Sequence, residues 1–268
     1  MFVFGLSELG SGAGAGSATV LAPCLAGLLL SLLFCAHALR IDRPLLDVRL
    51  YANRVFAGAS LTTFGLGAAL FGAMILVPLY YQQVRGQNVI DTGLLNGPQG
   101  LGALVAMPIA GRLTDRFGGG RVALCGVSIL CLSTIPLALV SSSTSIVLIS
   151  LILVARGVSI GLSFMPAMTA AFAAMRHDQL SDATPQLNVL MRLGGAIGTA
   201  VLAVVLQRVS GHGHGHAALA GAFDSAYWWA LGIALLSLLP CLMLLRAERP
   251  VAVEREFAAS KAAEPLGI

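Results

Sequence analysis

Two arginines stand alone in apolar surroundings, and they are the residues of this chain whose chemistry most needs explaining. Arg156 lies near the middle of the run Ile146 to Ala174, and Arg192 lies within the run Leu187 to Leu206. A guanidinium at the centre of a bilayer costs about 2.5 to 3.5 kcal/mol on insertion scales, so such a residue is turned inward toward partners. It also stays charged at any working pH. Arg156 therefore reads in two ways of equal weight, as a cavity residue that contacts a bound solute or responds to protonation elsewhere, or as a brace to backbone carbonyls. Asn188, Arg192, Gly195 and Thr199 recur at helical spacing. They make a polar or small stripe on one face of an otherwise apolar helix, which is expected to face a central cavity. For Arg192 the competing reading is snorkelling to the interface.

Other groups carry less. The segment Gly111-Arg112-Leu113-Thr114-Asp115-Arg116-Phe117-Gly118-Gly119-Gly120-Arg121 reads as a tight loop between two apolar helices. There Asp115 can pair with a nearby arginine or face a helix N-terminus, a cluster able to latch one conformation. The alternative is an ordinary basic loop. His212, His214 and His216 alternate with glycine, and with no cysteine or carboxylate at ligand spacing they read as a flexible solvated loop rather than a metal site. Gly157-Val158-Ser159-Ile160-Gly161 matches the GxSxG of hydrolases, a motif that needs a strand-to-helix turn and a histidine base. Here the serine sits in an apolar run, so no catalytic role is assigned. Cys24, Cys35, Cys125, Cys131 and Cys241 lie in apolar runs without CxxC spacing and read as packing residues.

The elements that must position these residues follow from composition. Of the 268 residues 57% are hydrophobic and 10% charged, and the mean hydropathy is +0.87, whereas soluble domains carry about 25% charge. Such a surface suits a bilayer, which a helix of about 20 apolar residues can cross. Seven runs are long enough: Val20 to Ala38, Val55 to Tyr80, Leu94 to Ala110, Val122 to Val140, Ile146 to Ala174, Leu187 to Leu206 and Tyr227 to Leu245. The net charge of +4 is spread between these runs rather than gathered on one face, which argues against nucleic acid. Counted by alternate connections, one side holds Arg40, Arg43, Arg49, Arg54, the 112–121 cluster, Arg176 and the basic residues from Arg246 onward, and the other only Arg85 and Arg208. The first side is expected to be cytoplasmic, with the C-terminus. The N-terminus lacks the basic region and cleavage site of a signal peptide. Three GxxxG pairs, Gly93 with Gly97, Gly157 with Gly161 and Gly194 with Gly198, predict close helix crossings. Pro78, Pro98, Pro108, Pro136 and Pro166 predict kinks.

The 111–121 segment also resembles the G-x-L-a-D-r-x-G-r-k motif of the major facilitator superfamily, in the copy between the second and third helices of the C-terminal half. Gly111, Leu113, Asp115, Arg116 and Gly118 match, while Gly119 and Gly120 stand where basic residues are usual, so the charge cluster is expected to be weaker. Further likeness covers almost the whole chain and points to the fourteen-span drug:proton antiporters. The stretch from Arg43 to Phe56 is similar to their linker before the seventh core helix. Pro98-Gln99-Gly100, Arg156-Gly157 with Pro166, and Asp182-Ala183-Thr184-Pro185 followed by Asn188, Arg192 and Gly194-Gly195-Ala196-Ile197-Gly198 resemble landmarks of later helices.

The resemblance implies an all-α polytopic membrane protein of about seven transmembrane helices. Its parts would be an external segment and inserted helix at 1–39, a cytoplasmic linker at 40–54, a six-helix transporter bundle at 55–246 and a cytoplasmic tail at 247–268. It implies the C-terminal half of a secondary transporter in the plasma membrane, exporting small hydrophobic or amphipathic compounds in exchange for protons. No enzyme activity, organic cofactor or metal is implied. The partners expected are the lipid bilayer, the exported compound and an N-terminal half carrying the acidic position and antiporter motif. The alternative is a non-transporting fragment or split subunit. Gln99, Arg156, Asn188, Arg192 and Thr199 are the cavity candidates, and Gly111, Arg112, Asp115, Arg116 and Gly118 the conformational motif. All 12 acidic residues fall outside the apolar cores of the seven runs, Asp182 being nearest, so the chain alone is not expected to couple transport to protons.

Overall fold

The computed structural model describes residues 48–140, 144–176, 179–210 and 216–263, with scattered positions between 22 and 37. The described residues are helical, with short connections and no strand. A short 3-10 turn, Val48–Ala52, precedes α1 (Arg54–Gln83), α2 (Val89–Phe117), α3 (Gly119–Ala138), α4 (Ile146–Ala173), α5 (Leu180–Ser210) and α6 (His216–Ala263). Five of these are apolar and long enough to cross a membrane: α1, α3, α4, residues Leu180–Val209 of α5 and Gly221–Glu248 of α6.

The sequence predicts one more crossing at Leu94 to Ala110, and here the structure differs in character. α2 has 29 residues, about 43 Å at 1.5 Å per residue, which exceeds the hydrocarbon thickness of about 30 Å. It is less apolar than the other five because Asp91, Asn96, Gln99, Arg112 and Asp115 lie along it with several glycines. The first predicted crossing, Val20 to Ala38, lies largely outside the described residues; Leu25, Leu29, Leu30 and Leu33 within it are helical and exposed.

Local chemistry starts the helices where the sequence offers a cap. Asn53 Oδ1 accepts from the backbone N–H of Val55 at 2.9 Å and of Phe56 at 3.4 Å, satisfying donors at the N-terminus of α1. Its Nδ2 donates to the Ala174 carbonyl at 3.1 Å, tying the start of α1 to the end of α4. Asn88 likewise accepts from Asp91 N at 2.8 Å at the start of α2.

Packing follows a paired pattern. α2 lies along α4 and α1 along α5, α3 packs on α4 and α1 on α6, whereas α2 and α3, though consecutive, hardly touch. The interior is built from Leu66, Leu76, Leu130, Leu153 and Leu202 with Phe56, Tyr81 and Phe223, all buried. Outward faces are also apolar: Met74, Leu104, Leu132, Leu151, Leu236 and Met243 are each more than half exposed. A helix apolar on all sides belongs in a bilayer. Trp228 and Trp229, both exposed near the start of the α6 crossing, suit the interface between lipid and water.

Candidate functional site

Arg156 on α4 is 2% exposed, in the middle of the bundle. Its guanidinium donates to Thr134 Oγ1 at 3.3 Å and to the Ala69 carbonyl at 3.4 Å, both at the long end of hydrogen bonding. Neither acceptor depends on it. Thr134 is bonded within its own helix to the Leu130 carbonyl at 2.7 Å, and Ala69 lies inside α1, where helix bonds already use the carbonyls. Among the described residues no carboxylate pairs with this charge. Tyr227 is also buried, and the Tyr81 hydroxyl is buried with no hydrogen-bond partner among the described residues. The sequence leaves a brace and a cavity role equally open for Arg156, and the structure gives it two long hydrogen bonds, one of them to a backbone carbonyl.

The backbone beside Arg156 is held by glycine. A Cβ on Gly157 would stand 2.0 Å from the Gln99 carbonyl oxygen, and one on Gly102 would stand 2.3 Å from that of Val154. α2 and α4 are thus in backbone contact, which only glycine permits. Gln99 is brought to this crossing by its carbonyl, while its side chain is half-buried. Of the three predicted GxxxG pairs, those at 157 and 161 and at 194 and 198 lie in such crossings. Gly93 and Gly97 do not, since nothing among the described residues comes within 4 Å of a Cβ at either. They sit on a face of α2 turned away from the other helices, a direction that spacing alone does not encode.

The α5 stripe borders an open groove of about 640 Å³ lined by Phe71, Met191, Arg192, Gly195, Ala196 and Thr199. Arg192 is exposed there and has no hydrogen-bond or ion-pair partner among the described residues. Asn188 is outside this lining; its Nδ2 donates to the Thr184 carbonyl one turn back at 3.0 Å. Gln186, buried at 3% on the same helix, is a polar group that the stripe overlooked.

The segment read from sequence as a loop is helical up to Phe117, and a single residue, Gly118, separates α2 from α3. Its φ of +87° requires glycine. Gly111, Arg112, Asp115 and Arg116 are therefore on the last turns of α2, where Asp115 forms no ion pair or hydrogen bond among the described residues and Arg116 covers the Phe117 ring at 5.3 Å. The anion at the start of α3 is Glu248. Its carboxylate accepts from Gly119 N at 2.9 Å and Gly120 N at 2.6 Å, a charge-assisted contact on the positive end of a helix. Glu248 falls in the stretch from 247 expected to be a cytoplasmic tail, and α6 runs on as helix to Ala263. The α6 crossing, Gly221–Glu248, accordingly carries Asp224 and Glu248 at its ends. A Cβ on Gly120 would come 2.6 Å from Glu248 Oε2, and one on Gly119 2.5 Å from the Pro166 carbonyl. Gly120 thus makes room for the cap and Gly119 for the packing of α3 on α4, where larger basic residues would not fit. Ser159 Oγ donates to the Arg156 carbonyl at 2.6 Å in mid-helix, with none of the geometry of a nucleophile elbow. The histidines at 212 and 214 lie outside the described residues.

The family model described as Major Facilitator Superfamily matches residues 2–199. The chain belongs to the major facilitator superfamily. It is 35% identical over 214 residues, 79% of this chain and 40% of that protein, to a multidrug resistance protein B homolog of Mycobacterium tuberculosis (strain ATCC 25618 / H37Rv). It is 32% identical to the MFS-type transporter YcnB of Bacillus subtilis, over 92% of this chain and 53% of that protein. It is 28% identical to the lincomycin resistance protein LmrB of Listeria monocytogenes, over 76% of this chain and 43% of that protein. The chain spans about half, or less, of the curated relatives it matches. The major facilitator match takes in α1 to α4 and most of α5; α6, with Tyr227 and Glu248, lies beyond it. A multi-pass membrane protein of the major facilitator superfamily is the reading these matches and the apolar helices establish.

Proposed function

We propose that this chain forms the C-terminal half of a multidrug or small-molecule efflux permease of the fourteen-span type, driven by proton antiport, and that an N-terminal half completes it. The observation carrying this reading is the open groove on α5. It presents Arg192 and Thr199 beside Phe71 and Met191, a mixed polar and apolar wall suited to amphipathic cargo and unclosed within this bundle. In transporters of this architecture two halves rock about such a midplane surface. Arg156, held by two long bonds, would sense the occupancy of that surface through the neighbouring helices. No described carboxylate pairs with Arg156, so the proton-carrying group would belong to the other half. The basic side of the bundle, with the C-terminus, would face the cytoplasm of a plasma membrane.

Purified chain in proteoliposomes under an imposed pH gradient is expected to give no saturable movement of a lipophilic cation, and movement is expected once an N-terminal half is supplied. Gradient-driven movement by the chain alone would refute the two-half reading and make Asp182 the first residue to mutate. Orientation is tested by Asp115→Cys and His214→Cys in a background freed of native cysteines. An impermeant thiol reagent on intact cells should label position 214 and spare 115; the reverse pattern would invert the topology.

A further inference from the structure

A second groove, of about 520 Å³, opens between the 3-10 turn, the first turns of α1 and the last membrane turns of α6, with Tyr51, Arg54, Gly58, Leu61, Met243 and Arg246 on its walls. We propose that it binds the headgroup and upper acyl chain of an anionic phospholipid. Arg54 and Arg246 converge on the groove from two different helices, both exposed, and neither has a hydrogen-bond or ion-pair partner among the described residues. The acidic residue nearest in sequence, Glu248, is committed elsewhere, to the N–H groups of Gly119 and Gly120. Two guanidinium groups with no partner among the described residues line this groove, and such a pair matches a phosphodiester, which accepts planar paired donors.

The rest of the groove fits lipid rather than a free anion. Leu61 and Met243 are 50% and 61% exposed and continue the walls toward the middle of the bundle. Leu61 lies seven residues beyond Arg54, about 10 Å along the helix at 1.5 Å per residue. An acyl chain descending from a phosphate at the arginines would meet both side chains. The floor is closed: a Cβ on Gly58 would stand 3.0 Å from the Leu244 Cα, so α1 and α6 touch there and nothing can pass between them. The Tyr51 ring, fixed edge-on against Phe56 at 5.3 Å, walls the headgroup end. Basic pockets between membrane helices are a recurrent way of holding anionic headgroups.

Native mass spectrometry of the purified chain in detergent, titrated with phosphatidylglycerol or with phosphatidylcholine of the same acyl chains, tests this. Tighter binding of phosphatidylglycerol is expected, falling about fivefold for Arg54→Gln or Arg246→Gln and about twentyfold for both together. Arg121→Gln, an exposed arginine at the start of α3, removes the same charge and should change binding less than twofold. If the double variant unfolds, Arg54→Lys with Arg246→Lys decides: it keeps both charges but not the planar paired donors, so the preference should fall severalfold, and an undiminished preference would overturn the site in favour of diffuse attraction. Equal binding of the two lipids, or an equal loss in Arg121→Gln, would overturn the site in favour of diffuse attraction. Displacement of phosphatidylglycerol by millimolar inorganic phosphate would overturn the lipid assignment.

Discussion

Where α4 crosses α2, the backbone at Gly157 faces the Gln99 carbonyl and that at Gly102 faces Val154; where α5 crosses α1, Gly67 faces Met191 and Gly194 faces Phe64. A Cβ would come within 2.0 and 2.3 Å of carbonyl oxygen at the first crossing, and within 2.3 and 2.0 Å at the second. In every case the carbonyl belongs to the residue three before the opposing glycine. The two crossings are one design used twice, with α1 to α3 repeated as α4 to α6, and the packing of α3 on α4 answers that of α6 on α1. Internal repeats of this kind are common in membrane transporters. The copies differ in what precedes the central glycine. In α4 it is Arg156; in α1 it is Leu66, 0% exposed. Since the same frame closes around leucine in one copy, packing does not explain the arginine in the other.

The comparison breaks first at the glycines. Gly157→Ala and Gly194→Ala should each cost about 3 kcal/mol or more of unfolding stability in detergent, the upper end of overpacking penalties, because backbone and not a flexible side chain is in the way. Gly93→Ala and Gly97→Ala should cost nothing measurable. Tolerance at one crossing and not the other would show that the repeat is only apparent.

Next comes Arg156→Leu, which copies the α1 arrangement into α4. Stability should be unchanged or rise by about 1 kcal/mol or more, as when buried charges give way to well-packed apolar groups, while cargo movement by the assembled transporter is lost. A loss of about 3 kcal/mol in chemical denaturation would instead make the arginine a structural brace. Glu248→Gln should cost about 1 kcal/mol, by removal of an anion from a helix N-terminus, and hydrogen exchange at Gly119 and Gly120 should quicken. Arg192→Ala should stay within about 0.5 kcal/mol of the parent because that side chain is exposed and has no partner among the described residues, yet it should weaken cargo binding.

The architecture was legible because a bilayer helix declares itself by length and apolarity alone. The inward turn of Arg156 was legible from the cost of the opposite placement. Glu248 was not, because its partners are more than a hundred positions away and a carboxylate beside Arg246 and Arg249 reads as ordinary solvated charge. At Gly119 and Gly120 the sequence shows only that basic residues are missing, whereas the structure shows what their smallness admits, the approach of α4 at Gly119 and the Glu248 cap at Gly120. The repeat escaped notice since it lies in backbone geometry, with Leu66 and Arg156 as its equivalent side chains.

The hydroxyls of the crossings lead to a consequence for motion. Thr62, Thr63, Ser128 and Ser237 donate to carbonyls of their own helices, Gly58, Ala59, Leu124 and Ile233, at 2.7 to 2.9 Å. Groups that would otherwise glue one helix to the next are thereby self-contained. A helix that tilts in this bundle does not have to exchange these hydroxyl bonds, so its resistance there comes from steps of shape at the glycines. Friction of that kind does not depend on pH and is insensitive to salt, so charge can bias the movement only at other points, such as the Glu248 cap and the buried Arg156.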